Sequence, residues 1–187
     1  MSELHRDHPG PWTEAEFLAL GPTPERIELI DGSLRVSPAP NRPHQDISFL
    51  LMVAVRHAAR AAGFRSWEAI NVRLSPRIIV IPDLVVGTMD YLGSVAHAAD
   101  VAMVGEILSP SNEANDRVEK LRDYAAAGIP WYLLVEPDMT NYRSITLRLY
   151  RLDGESYVEQ AVAAHGEILK SDAPFPFAID TVALIDF

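Results

Sequence analysis

The sequence predicts an α/β fold built as one domain over residues 1–187. Stretches of helical periodicity alternate with short apolar runs rich in β-branched residues, and Asp-Gly turns join two pairs of short segments. A length of 187 residues leaves room for a substantial core, and 48% hydrophobic with 22% charged residues is ordinary for a globular protein.

The first elements are predicted from capping, turn and periodicity signals. Thr13 and Glu16 match the capping-box pattern, which opens a short helix. Asp31-Gly32 between two short segments is a strong hairpin signal. Apolar residues at helical spacing predict a long helix that ends before Gly63. The elements predicted here are a helix after Thr13, a hairpin of 26–30 and 33–36, and a helix of 44–62.

The rest of the chain is predicted as strands around one further helix. Short apolar runs bounded by turn residues predict buried strands, and Ile78 to Val86 is predicted as one of them. A helix from Glu113 to Ala127 ends at Gly128, and Asp153-Gly154 predicts a second hairpin. The predicted strands are 64–69, 71–74, 78–86, 101–108, 130–135, 145–151, 156–162 and a short closing strand at 182–185.

Composition excludes several classes of protein. There are no cysteines, so disulfides and thiolate zinc sites are impossible. No apolar run approaches the ~18 residues that a membrane helix needs, and the polar N-terminus lacks a signal-type stretch. We therefore expect a cytoplasmic protein with no membrane partner.

Charge is unevenly distributed along the chain. The formal net charge is −10, yet the segment 42–77 carries six arginines against Asp46 and Glu68. On charge alone, the arginines of this segment are explained by a solvent-exposed helix face and the edge of a strand. Phosphate affinity comes largely from Lys and Arg, so the charge permits a nucleic-acid partner without arguing for one.

Two carboxylates interrupt apolar runs that are predicted as buried strands. They are Asp83, within Ile78 to Val86, and Glu106, within Val101 to Leu108. An unpaired buried carboxylate costs several kcal/mol or becomes neutral, so such groups suggest a cation or a reaction. Mg²⁺ takes oxygen ligands, commonly one or two carboxylates with waters and substrate phosphates. The pair therefore predicts a metal site, with the backbone carbonyl of Ile107 as a third oxygen.

These residues resemble a known signature. An acidic residue after proline on one strand, followed by Glu-X-Lys on the next, is the signature of the PD-(D/E)XK nuclease superfamily. Pro82-Asp83 and Glu106-Ile107-Leu108 look like it, although Leu108 stands where lysine is expected.

A dozen ordered matches from about Trp12 to Asp138 narrow this likeness to the Uma-two family of restriction-endonuclease-like proteins. The resemblance implies a restriction-endonuclease-like core, with a mixed central β-sheet flanked by helices and extra β-hairpins. It also implies that the missing lysine has moved to the following helix, where it maps onto Lys120. The matching positions are Glu28 to Gly32, Ser37 to Pro40, His44, Pro82-Asp83, Glu106 to Ser111, Asp116, Lys120, Tyr124-Ala125 and Gly128 to Pro130.

For Lys120 and Glu28, the sequence itself also allows a second interpretation. Lys120 is one of only two lysines, but its spacing also suits a surface ion pair with Asp116. Glu28 could add a metal ligand or a hydrogen bond behind one, or it could face solvent in an alternating strand. His44 is expected to begin a helix rather than to bind metal.

The function expected from these observations is Mg²⁺- or Mn²⁺-dependent hydrolysis of phosphodiester bonds in DNA. Asp83 and Glu106 would hold the metal, Lys120 would orient or activate the attacking water, and Glu28 would assist. One alternative is a non-catalytic binding or dimeric scaffold, and another is a hydrolase of smaller phosphate esters. A homodimer is plausible for a duplex cutter because two-fold symmetry matches two strands.

Overall fold

The computed structural model describes residue 8, residues 10–109 and residues 114–185, except for the side chains of 114–117. Within these residues, three helices and thirteen strands are present. The helices are α1 (Glu14–Ala19), α2 (Arg42–Ala61) and α3 (Ala114–Ala126). The strands are β1 (Arg26–Ile30), β2 (Ser33–Ser37), β3 (Arg65–Glu68), β4 (Asn71–Ser75), β5 (Ile78–Val80), β6 (Leu84–Gly87), β7 (Val95–His97), β8 (Val101–Ile107), β9 (Trp131–Pro137), β10 (Ile145–Asp153), β11 (Ser156–Ala163), β12 (Ile168–Ser171) and β13 (Phe177–Asp180).

A six-stranded mixed sheet forms the centre of the fold. Its order is β11-β10-β9-β8-β6-β3, in which β8 and β9 are parallel and the other neighbours are antiparallel. One face packs against α2, where Ile47, Leu51 and Val55 join apolar residues of the sheet and of β13. The predicted α/β class, with a mixed sheet flanked by helices, is confirmed.

A second sheet of five strands lies nearer the N-terminus, in the order β2-β1-β5-β4-β7. A core that includes Val80 of β5, Val104 of β8 and Tyr124 of α3 joins it to the other face of the six-stranded sheet. The hairpin β1–β2 belongs to this sheet, and Asp31 and Gly32 at its turn both have positive φ, as a tight hairpin turn requires.

The predicted single strand from Ile78 to Val86 is wrong. The chain forms β5, leaves it at Ile81, and enters β6 in the other sheet at Leu84. Pro82 has no N–H to give to a ladder, so a continuous strand is broken there. This break sets Asp83 at the crossing between the two sheets.

The predicted closing strand at 182–185 is also wrong, because Val182–Leu184 is a 3-10 helix. The Asp180 carboxylate accepts the N–H of Val182, and buried Thr181 bonds to Glu167, which turns the chain away from strand geometry. Strands β7, β12 and β13 were not predicted. The predicted start of the second long helix, Glu113, lies outside the described residues.

None of the described helices combines the length and apolar character that a membrane crossing requires.

Candidate functional site

Glu28 lies in the interior because strand alternation turns it inward. Its neighbours Ile27 and Leu29 fill the small core under α1, so Glu28 points to the opposite face of β1. The residue is 1% exposed, and its Oε1 accepts bonds from the backbone N–H of Ile81 at 2.8 Å and from Lys120 Nζ at 3.0 Å. Glu28 Oε2 is buried without a partner among the described residues. The solvent-facing alternative is therefore wrong.

Asp83 is held by three groups. Its Oδ1 accepts from Arg26 Nη1 at 2.8 Å, and its Oδ2 accepts the backbone N–H of Ile107 at 2.9 Å and lies 3.3 Å from His44 Nε2. Burial raises the pKa of Asp83, but the His44 hydrogen bond, the Arg26 charge and the Ile107 bond outweigh it and lower the pKa to about 2. Asp83 is therefore an anion at neutral pH.

Glu106 occupies the neighbouring strand. Leu84 pairs with Gly105, so one further step of the antiparallel register sets Asp83 opposite Glu106. Glu106 Oε1 accepts the Tyr124 hydroxyl and lies 3.6 Å from Lys120 Nζ. Burial raises the pKa of Glu106; Lys120 lowers it, nearby Asp83 raises it, and the net shift is upward. The two predicted carboxylates are thus brought together.

Lys120 joins the cluster from α3. It is one turn before Tyr124, so both side chains lie on the helix face that meets β8. Burial lowers the pKa of Lys120, but Glu106 and Glu28 more than compensate and raise it. Lys120 is therefore a cation between two carboxylates. The side chain of Asp116, its alternative partner, lies outside the described residues.

The carbonyl of Ile107 faces Asp83. The next N–H, that of Leu108, donates to Val135 of β9 at 2.9 Å, and a trans peptide points its C=O opposite to its N–H. If the β6–β8 register is continued by two residues, Pro82 stands opposite Ile107. Pro82 has no N–H, so the donor that an ordinary residue would offer to this carbonyl is missing.

Arg26 and His44 are site residues that the sequence reasoning missed. Arg26 is two residues before Glu28 and shares its face of β1, so strand periodicity could have indicated it. It also donates to the carbonyl of Ile81. His44 lies in the first turn of α2, where Asn41 caps the helix, and it falls on the stripe of Ile47 and Leu51. A histidine on an apolar stripe was the available signal.

The donor set suits a divalent cation. Three carboxylates, Glu28, Asp83 and Glu106, lie together here with the cations of Arg26 and Lys120. Glu28 Oε2, which has no partner among the described residues, and the carbonyl of Ile107, to which Pro82 cannot donate, add oxygens, the ligand type that Mg²⁺ prefers.

No three His, Asp or Glu side chains of the described residues form a ready-made metal-binding group. A site of two carboxylates and one carbonyl, completed by waters and substrate phosphate, does not need one.

Comparison with known proteins supports a nuclease fold. A crystal structure of "a putative nuclease belonging to DUF820" from Anabaena variabilis ATCC 29413 superimposes with a TM-score of 0.68 at 18% sequence identity, covering 87% of this chain and 90% of that one. No curated protein matches the sequence. The model of the Uma2 family, described as "Putative restriction endonuclease", matches residues 14–183. This protein therefore belongs to the Uma2 family.

Proposed function

We propose that this protein is a Mg²⁺- or Mn²⁺-dependent nuclease that hydrolyses phosphodiester bonds of DNA. The observation that carries the proposal is the buried cluster of Glu28, Asp83, Glu106 and Lys120 in a chain of the Uma2 family. Three carboxylates in one buried cluster cost the fold free energy, and such groups are typical of sites where a cation or a substrate uses them.

Asp83, Glu106 and the carbonyl of Ile107 are the groups that would hold the ion. A divalent cation there supplies Lewis acidity to the scissile phosphate. Arg26 and His44 keep Asp83 ionised and fix its orientation, because both contact its carboxylate.

Lys120 acts as a cation rather than as a base. Its raised pKa keeps it protonated at neutral pH, so it cannot accept a proton from water. Its ammonium group donates hydrogen bonds to the attacking water and to the charge that grows on the phosphate. Glu28 Oε1 positions this ammonium group, and the open Oε2 can accept a hydrogen bond from the same water.

The test is cleavage of duplex and single-stranded DNA, with RNA for comparison, in Mg²⁺ or Mn²⁺. Asp83→Asn and Glu106→Gln remove one charge each with little change of shape, and each should lower the rate by at least about 100-fold. Lys120→Met should also lower the rate, by about 100- to 1000-fold, because it removes a charge from the reaction centre.

Glu159→Gln is the matched control, because Glu159 pairs with Arg148 on β10, outside the cluster. Its cleavage rate should equal that of the parent protein. Unchanged cleavage by Asp83→Asn would overturn the assignment, since a contaminating nuclease would then explain the activity.

A non-catalytic binding or scaffold protein is the second candidate. It is favoured by Leu108 at the expected lysine position and by the ion pairs that Arg26 and Lys120 already make with the carboxylates. This candidate predicts that the parent protein binds no Mn²⁺ at the cluster, as measured by electron paramagnetic resonance. Stoichiometric binding that disappears in Asp83→Asn argues against it.

The assembly is also part of the proposal. We infer that residues 1–187 act as one domain and that two copies pair when the substrate is a duplex, because two active sites related by two-fold symmetry match two antiparallel strands. Light scattering with and without duplex DNA measures this, and a monomer in both conditions contradicts it.

A further inference from the structure

Three exposed arginines form a groove that the proposed chemistry does not use. Arg56 and Arg60 of α2 and Arg65 of β3 line a cavity of about 570 Å³ together with Trp67 and Tyr91. No acidic residue lines it, and none of the three arginines joins an ion pair of the described residues. The protein as a whole has a net charge of −10. A local cluster of unpaired cations on an acidic protein indicates an anionic partner.

The local fold explains how the three side chains come together, but it does not explain why arginine occupies all three positions. Arg56 and Arg60 are four residues apart, so they share a helix face, and like charges at this spacing oppose each other. Gly63, with φ of +84°, turns the chain and brings Arg65 to the same place. Arg60 in the last turn suits the helix dipole. That role accounts for neither Arg56 nor Arg65.

The groove adjoins two further depressions, the last of which reaches Arg26 at the edge of the candidate site. Trp67 and Tyr91 also line a second depression of about 330 Å³. Ala69 and Val95 are shared between that depression and a third of about 540 Å³, which reaches Arg26 and Ile81. A row of adjoining depressions therefore leads from Arg26, which contacts Asp83, to the three arginines.

The length of α2 gives the separation of the arginines from His44 along the helix axis. Arg56 follows His44 by twelve residues and Arg60 by sixteen, which at 1.5 Å per residue is roughly 18 and 24 Å. A nucleic-acid strand that reaches from the site to the arginines spans a few nucleotides.

The lining fits nucleic acid better than it fits a carboxylate-rich peptide. Guanidinium groups match phosphates in geometry and charge. Tyr91 is 69% exposed, and the guanidinium of Arg65 lies 5.1 Å from its ring centre. An exposed aromatic ring beside cations offers a stacking platform for an unpaired base, which an acidic peptide would not use.

We propose that Arg56, Arg60 and Arg65, with Tyr91, bind the backbone and a base of a single-stranded stretch of nucleic acid that extends along these depressions towards Arg26. The inference rests on the proposed function for the identity of the ligand. Its test does not depend on cleavage, because binding is measured in EDTA.

The experiment compares two triple variants by fluorescence anisotropy with labelled oligothymidylate. The groove variant is Arg56→Gln, Arg60→Gln and Arg65→Gln, and the control is Arg122→Gln, Arg143→Gln and Arg151→Gln. Both lose three positive charges from exposed positions, so overall charge is matched. The groove variant should bind at least about 10-fold more weakly, and the slope of log Kd against log salt should fall by about 2. The Kd of the control variant should change by less than about 3-fold. Circular dichroism spectra of both variants check that they remain folded.

Tyr91→Leu tests the stacking contact separately. It should weaken binding of oligothymidylate but leave binding of inorganic polyphosphate unchanged. Equal losses in the two triple variants, or polyglutamate that competes as well as oligothymidylate does, would overturn the inference. If the groove variant alone loses binding while the parent protein cleaves nothing, the groove stands and the nuclease proposal fails.

Discussion

The two carboxylates at the ends of β6 and β8 have pKa values that are shifted in opposite directions, although burial raises both. Asp83 has a lowered pKa because His44, Arg26 and the Ile107 N–H outweigh its burial. Glu106 has a raised pKa because burial and the charge of Asp83 outweigh Lys120. The contribution of Asp83 to stability is therefore lost as the pH falls, whereas that of Glu106 is lost as the pH rises. Only for Asp83 do the surrounding protein groups, on balance, favour the ionised form.

Asp83→Asn should change the acid limb of the stability curve. The folded pKa is about 2 against a usual 3.8, so ionised Asp83 stabilises the fold above pH 4 and this contribution is lost as the pH falls towards 2. In EDTA at pH 5 the variant should be less stable by about 2 kcal/mol, and the gap should narrow as the pH falls through about 2. Urea unfolding measures the free energy at each pH. Asp153→Asn in an exposed hairpin turn is the control, and a gap that is constant with pH contradicts the prediction.

The interruption between β5 and β6 is the most informative element of the fold. Sequence periodicity predicted one strand there because both halves are apolar and β-branched. Pro82 instead sends the halves to different sheets, and the crossing places Asp83 beside β8. The same proline leaves the carbonyl of Ile107 without its ladder donor.

Pro82→Ala should weaken metal binding more than it weakens the fold. The new N–H would compete for the Ile107 carbonyl, so Mn²⁺ affinity should fall by about 10-fold, the size expected when support around a metal ligand is lost. Calorimetric titration measures the affinity. Pro76→Ala, in the exposed turn between β4 and β5, is the matched control. Equal Mn²⁺ affinities in the two variants would show that the proline has no role in the site.

Helix α2 links the candidate site to the main core, and its two faces should differ in their effect on stability. Leu51 is 1% exposed and packs on the six-stranded sheet, so Leu51→Ala should cost about 2–5 kcal/mol of unfolding free energy. Phe49 on the same helix is 61% exposed, and Phe49→Ala should change stability by no more than about 0.5 kcal/mol. Urea unfolding of both variants is the measurement, and similar losses would mean that Phe49 is buried in an assembly.

At the scale of the whole molecule, local signals predicted local structure well. The capping box at Thr13 and the Asp31-Gly32 turn depend on residues within a few positions, and both are confirmed. The short strands β7, β12 and β13 have only three or four residues each, too few to give a clear alternating pattern. Val182–Leu184 is a 3-10 helix because hydrogen bonds at Asp180 and Thr181 turn the chain, although the apolar residues there favour a strand.

The candidate site was predictable only in part, because only some of its residues stand out from their local sequence. Asp83 and Glu106 could be found because a charge within an apolar run is a local anomaly. Strand alternation sets Glu28 on the face of β1 opposite Ile27 and Leu29, but the helix that covers this face, α3, is far away in sequence. The pattern of β1 alone therefore left Glu28 either buried or facing solvent. Arg26 and His44 were missed as site residues because their signals, a shared strand face with Glu28 and a position on an apolar helix stripe, do not reveal the distant partner Asp83.

The contact between Glu28 and Lys120 has a consequence for how the protein acquires activity during synthesis. These residues are 92 positions apart, and Arg26 is 57 positions from Asp83. Contacts between such distant residues form late, because the chain must first lose the entropy of closing a long loop. A ribosome-bound fragment that ends before α3 lacks Lys120 altogether. If the protein is a nuclease, its chain is harmless to nucleic acid until folding is nearly complete.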